Sequence, residues 1–135
     1  LCNKLKEIFD FIIIDCPAGI GDMLEVAVGA AEKAVIVMEP DIAAARDADS
    51  AERFLQEHGV DDVCVVANRV NVDLMQQGLM PRLSAITDLL NSPLVGLIQE
   101  DDNIRISTNK GIPIVCKQGT YIEKNFIEII ARIIR

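Results

Sequence analysis

Four short apolar runs, rich in β-branched residues, constrain this chain more than anything else in it. They are Phe-Ile-Ile-Ile-Asp (residues 11–15), Ala-Val-Ile-Val-Met (34–38), Val-Cys-Val-Val-Ala (63–67) and Leu-Val-Gly-Leu-Ile (94–98). Each is too short for a core helix and lacks polar/apolar alternation, so each is expected to be a strand buried on both faces. They recur every 23 to 31 residues with helical patterns between them. That is β-α-β repetition, which predicts an α/β fold: a parallel sheet with right-handed crossovers and helices on both faces. At 135 residues the chain is expected to form one such domain, 1–135.

The intervening stretches carry helix signals. Residues 1–8 fit the end of an amphipathic helix. Asp22 is placed to cap a helix over 22–31, with Glu25 three residues later as in a capping box. Asp41 is a good N-cap for a helix to His58, stopped by Gly59, with Ile42, Ala45, Ala48, Phe54 and Leu55 on one side. Residues 71–78 fit a loop or one short helix, 83–90 a helix, and 114–116 a short extended piece. The acidic Glu100-Asp101-Asp102 can begin a helix to Lys110. In the last stretch, 119–135, Lys124, Glu128, Arg132 and Arg135 fall on one helical face. Ile122, Phe126, Ile129, Ile130 and Ile133 fall on the other and are expected to pack on the sheet.

Charge and cysteine usage narrow the function classes. A formal net charge of −8 argues against a nucleic-acid partner, which would want a basic face, but leaves nucleotide binding through backbone amides open. Cys2, Cys16, Cys64 and Cys116 show no C-x-x-C pairing, the pattern of reduced cysteines in a cytosolic protein. His58, the sole histidine, lies in the last turn of its helix, where a dipole contact accounts for it. No apolar run approaches the ~18 residues of a spanning helix.

All C-terminal strand ends of a parallel sheet lie on one side, so their polar residues converge there. Asp15 ends the first run and is followed by Pro17 and a loop with Gly19 and Gly21. Asn68-Arg69 end the third run, and Gln99-Glu100-Asp101 the fourth. An Asp at such an edge suits Mg²⁺, directly or through water, or else simply accepts loop amides. Asn offers the donor and acceptor that an adenine edge requires, and Arg can stack on a base or contact phosphate. The sequence contains no G-x-x-x-x-G-K-S/T phosphate loop.

Residues 9–20 (FDFIIIDCPAGI) resemble the switch II region of the MinD-type deviant-Walker ATPases, members of the ParA/MinD superfamily. The likeness continues through AVIVMEPDIAAARDAD (34–49), VVANR (65–69), QGLM (77–80), PLVGLIQED (93–101) and TNKGIPIV (108–115), in the family's order. It implies a P-loop NTPase-like three-layer sandwich, truncated at its N-terminus, and an ATP-dependent homodimer that positions the bacterial division site. On that resemblance Asp15 would hold Mg²⁺ through water and help place the attacking water. Gly19 would offer its amide to the γ-phosphate. Asn68 and Arg69 would meet adenine, and Gln99, Glu100 and Asp101 would border its pocket. Arg46, Asp47 and Asp49 would lie near the dimer face, where a MinC-like inhibitor and a MinE-like activator dock. The family's membrane contact, at the inner face of the cell membrane in the ATP-bound state, is made by a helix not recognised in this sequence.

The chain is therefore expected to be the C-terminal half of such an ATPase, inactive alone. Two other roles are kept open: a ParA-type partitioning or flagellar or cargo-positioning ATPase, and a non-catalytic regulatory or dimerisation domain. In the family the phosphate-loop strand separates the runs at 11–15 and 34–38. The expectation here is that these two runs close on each other, or that another chain fills the gap.

Overall fold

The computed structural model describes residues 2–135, so Leu1 of the expected first helix lies outside it. Its elements run α1 (Cys2–Leu5), α2 (Asp22–Val28), β1 (Lys33–Met38), α3 (Ile42–Glu57), β2 (Asp62–Val70), α4 (Val72–Gln76), α5 (Leu83–Thr87), β3 (Leu94–Gln99), α6 (Asp102–Asn109), a single 3-10 turn (Ile114–Cys116) and α7 (Tyr121–Ile133). The three strands form one parallel sheet in the order β1-β2-β3. The expected α/β architecture with a parallel sheet is the one found.

The core lies where helices meet alternate residues of β1 and β2. Val65 and Met38 pack with Ala45 and Ala48 of α3 and Ile86 of α5. Val63 packs with Leu55, Val60 and Val28 of α2. Cys64 and Val66, which alternate to the other face, are buried as well, so β2 is covered on both sides. The small side chains of Ala45 and Ala48 let α3 lie close to the sheet.

Helix α7 runs antiparallel to the strands along β3. At its start Tyr121 donates to Asp101, just past β3, and at its end the Ile133 carbonyl accepts from Lys33 of β1. Between them Asn125 Nδ2 donates to the Leu97 carbonyl (2.6 Å) and Arg132 to the Val95 carbonyl (2.8 Å). Strand-edge carbonyls are thus covered by a helix, which blunts that edge. No described helix is long and apolar enough to cross a membrane.

The run at residues 11–15 is a correction to the expectation. It is not a strand, and no backbone hydrogen bond joins it to β1 among the described residues. Phe11 is 70% and Ile13 93% exposed. A strand needs a neighbour's backbone groups within hydrogen-bonding distance, and the run makes no such bond to β1, where the described sheet stops, so it stays unpaired. The two runs do not close on each other, and Val37 on the bare face of β1 is 60% exposed.

Helix boundaries shift for local reasons. Gly21, not Asp22, is the N-cap of α2, and no side chain caps it, so the capping box does not form. Helix α2 ends at Val28, before Gly29, and α5 stops at Thr87. Residues 114–116 turn rather than extend, after Pro113. In α7, Ile122 and Ile129 are buried but Ile130 is exposed with Ile127 and Ile134. Ile130 lies ~100° round the helix from Ile129, which turns it off the packed face. On α3, Ile42 is exposed, while Glu52 joins Ala45, Ala48 and Leu55 among the buried residues.

Candidate functional site

The C-terminal ends of β2 and β3 frame a cavity of about 310 Å³ lined by Asn68, Arg69, Gln99, Glu100, Asp101, Asp102, Ile104 and Arg105. Five of these, Asn68, Arg69, Gln99, Glu100 and Asp101, are the strand-end residues singled out in the sequence.

A bulge shapes the wall. Ala67 pairs with Leu97 and Val70 with Gln99, so β2 advances three residues where β3 advances two. Within the bulge Arg69 has φ 55°, among the described residues the one non-glycine with positive φ. Such a backbone is unfavourable for a residue bearing a Cβ and persists where surrounding contacts enforce it. The Glu100 amide closes the bulge by donating to the Val70 carbonyl at 3.1 Å.

Almost every charge at the cavity is already matched. Arg69 Nη1 meets Glu39 at 2.7 Å and its Nη2 meets Glu100 at 3.2 Å. Glu100 and then Glu39 hold the guanidinium proton more tightly than usual. Arg105 pairs with Asp102 at 2.8 Å. Asp101 caps α6 by accepting from the Asn103 amide at 2.7 Å. Its carboxyl lies below the ordinary range, first because the Tyr121 hydroxyl donates to it and then because of the Asn103 amide. The lining holds three carboxylates against two guanidiniums. By contrast, the side-chain amides of Asn68 and Gln99 make no hydrogen bond to any other described residue.

This chemistry suits a neutral, flat ligand with hydrogen-bonding edges better than an anion. A phosphate would meet a net negative wall with no free cation. A nucleobase would meet unused amide donors and acceptors.

The other predicted residues lie elsewhere. Asp15 and Gly19 sit exposed on the unpaired 11–20 segment and do not line the cavity. Gly19 has φ 97° with open space around its Cα, so a side chain there is disfavoured by backbone rather than by crowding. Among the described residues no group of three or more His, Cys, Asp or Glu side chains could hold a metal. Asp15 offers one carboxylate, and on their own the residues present do not fit a Mg²⁺ site. Arg46 and Asp47 are exposed on α3, where Asp49 pairs with Arg53. His58 stacks on Phe54 with ring centroids 4.1 Å apart and bonds the Phe54 carbonyl at 2.8 Å, a structural role.

Two residues of the site escaped the sequence reading. Glu39 follows β1 just as Asn68 sits at the end of β2, so the strand-end argument applied to β1 would have found it. Tyr121 had no such signal, because its place depends on the direction of α7.

Comparison with known proteins gives the family. The model described as ParA, NUBPL iron-transfer P-loop NTPase, matches residues 4–134. The septum site-determining protein MinD of Synechocystis sp. is 39% identical over 132 residues, 98% of this chain and 50% of that protein. MinD in the MinC:MinD cell division complex of Aquifex aeolicus superposes with a TM-score of 0.89 at 30% identity, over 98% of this chain and 55% of that one. Pyrococcus horikoshii MinD, solved with Mg-ADP, gives 0.82 at 29% identity, over 95% and 51%. The chain spans about half the length of the curated relatives it matches. It is a member of the ParA/MinD family of P-loop NTPases.

Proposed function

We propose that this chain supplies the base-binding edge of a MinD-like ATPase that takes part in placing the cell-division site. The observation that carries the reading is the strand-end cavity: its charges are paired internally, while the amides of Asn68 and Gln99 are left for a neutral ring. Asn68 meets the adenine edge, Gln99, Glu100 and Asp101 border it, and Arg69 flanks it. Asp15 and Gly19 belong to the phosphate end, where Asp15 would hold Mg²⁺ through water only alongside ligands that the nucleotide phosphates and the rest of the parent ATPase supply. The Mg-ADP bound to Pyrococcus horikoshii MinD supports a magnesium nucleotide as the ligand. The Aquifex aeolicus complex supports a MinC-like partner. A homodimer with Arg46, Asp47 and Asp49 near its face, a MinE-like activator and a place at the inner membrane surface complete the proposal.

The chain studied alone is expected to hold nucleotide weakly through the base and not to hydrolyse it. Titrating adenosine and Mg-ATP into the ¹⁵N-labelled chain tests this. Both should shift the amide signals of Asn68, Gln99 and Asp101 in the same direction. Shifts confined to other elements, or micromolar Mg-ATP affinity by calorimetry, would refute it.

A further inference from the structure

The Arg69 guanidinium is engaged on both sides by residues from different strand ends. Glu39 follows β1 and is 30 residues away in sequence; Glu100 follows β3 and is 31 away. Arg69 itself sits in the bulge of β2. One side chain thus ties together the ends of all three strands, at the rim of the cavity. All three partners are largely exposed, and exposed pairs contribute little to global stability. A stability role therefore does not account for them.

Their placement does. Arg69 carries a backbone conformation that a non-glycine residue disfavours, and its neighbour Asn68 carries one of the two cavity amides without a hydrogen bond to another described residue. With the bulge relaxed to a regular strand, the register between Ala67 and Val70 would shift by one residue. Because side chains alternate between faces, a one-residue slip turns Asn68 to the other face.

We propose that Glu39 and Glu100 are positioning residues, clasping Arg69 so that the β2 bulge persists and Asn68 is presented to the ligand. The proposal rests on the base-binding reading above. It also gives Arg69 a different task from phosphate contact, since both ends of its guanidinium fork are committed to carboxylates. The clasp makes the base edge sensitive to β1: whatever displaces Glu39 loosens Asn68.

Glu39→Gln tests this without altering β2 or β3, and Glu39→Ala removes that side of the clasp altogether. Hydrogen exchange at the Glu100 amide, which closes the bulge, should quicken about ten-fold in Glu39→Gln, while the Val65 and Val66 amides of β2 stay as they were. The adenosine dissociation constant, read from the Asn68 side-chain signals, should rise about five- to ten-fold in both variants. The melting temperature should hardly move. If adenosine binds the wild type at Asn68 but Glu39→Gln changes neither the Glu100 exchange nor the affinity, the clasp is overturned and the base-binding reading stands. If adenosine leaves Asn68 undisturbed in the wild type, the base-binding reading falls and the clasp's purpose with it. The exchange at Glu100 distinguishes a holding role from none in either case.

Discussion

The hydroxyl of Tyr121 donates to the carboxylate of Asp101, joining the first turn of α7 to the N-cap of α6 at the rim of the strand-end cavity. The two helices that close β3 are thereby fixed to each other at the cavity side of the sheet. The bond also moves both pKa values apart, lowering that of Asp101 and raising that of Tyr121.

The pH dependence follows from those directions. A depressed Asp101 contributes stability that is present above its unfolded value near ~4 and lost as pH falls through the folded value. A raised Tyr121 contributes stability that is full below ~10 and lost as pH climbs through its folded value. Tyr121→Phe should return Asp101 toward the ordinary carboxylate range, seen by ¹³C titration of its carboxyl, and should flatten both limbs of the stability profile. An unchanged Asp101 titration would show that the hydroxyl is not its partner.

Gly96 should accept no side chain. A Cβ there would overlap Cγ1 and Cδ1 of Ile129, where α7 presses on β3. Gly96→Ala is expected to cost about 1–3 kcal/mol by urea denaturation. Pairing it with Ile129→Ala should cost less than the sum of the two single losses, because that change removes both colliding atoms, Cγ1 and Cδ1.

Glu52 is a buried carboxylate, 1% exposed, that organises the approach to β3. It accepts from Ser92 Oγ at 2.7 Å, the Asn91 amide at 3.2 Å and Gln56 Nε2 at 3.4 Å. Glu52→Ala strands these donors and should destabilise by about 1–3 kcal/mol. Glu52→Gln retains an acceptor oxygen and should lose less. Equal losses in the two variants would mean that the second carboxylate oxygen, which both variants lack, and not shape, is what Glu52 supplies.

Ile13 provides the converse test. As a core strand residue it would make Ile13→Asn strongly destabilising; as the structure has it, the change should stay within about 0.5 kcal/mol. Because the same change adds a polar group to an exposed apolar run, it should also reduce self-association in sedimentation or light scattering. A large drop in the unfolding free energy would restore the run to the core.

Asn68→Ala should weaken adenosine binding about ten-fold, by removal of a bidentate hydrogen-bonding group, while leaving the melting temperature close to that of the wild type. Because Asn68 makes no side-chain hydrogen bond to another described residue, a large stability loss would argue against a ligand-facing role.

Residue patterning was enough to settle the parallel α/β class, because short buried strands and amphipathic helices have different periods and alternate legibly along the chain. It determined β1, β2 and β3 to within a few residues, and through strand polarity it brought Asn68, Arg69, Gln99, Glu100 and Asp101 to one edge. Whether an apolar run becomes a strand depended instead on long-range contacts. Residues 11–15 carry strand composition as strong as that of β1, yet strand formation needs backbone partners that composition does not contain. Tertiary structure likewise decided that Arg69 bridges Glu39 and Glu100, and that Tyr121 reaches Asp101. Those contacts join residues 20 to 31 positions apart through the crossing of separate elements, and no local pattern records them.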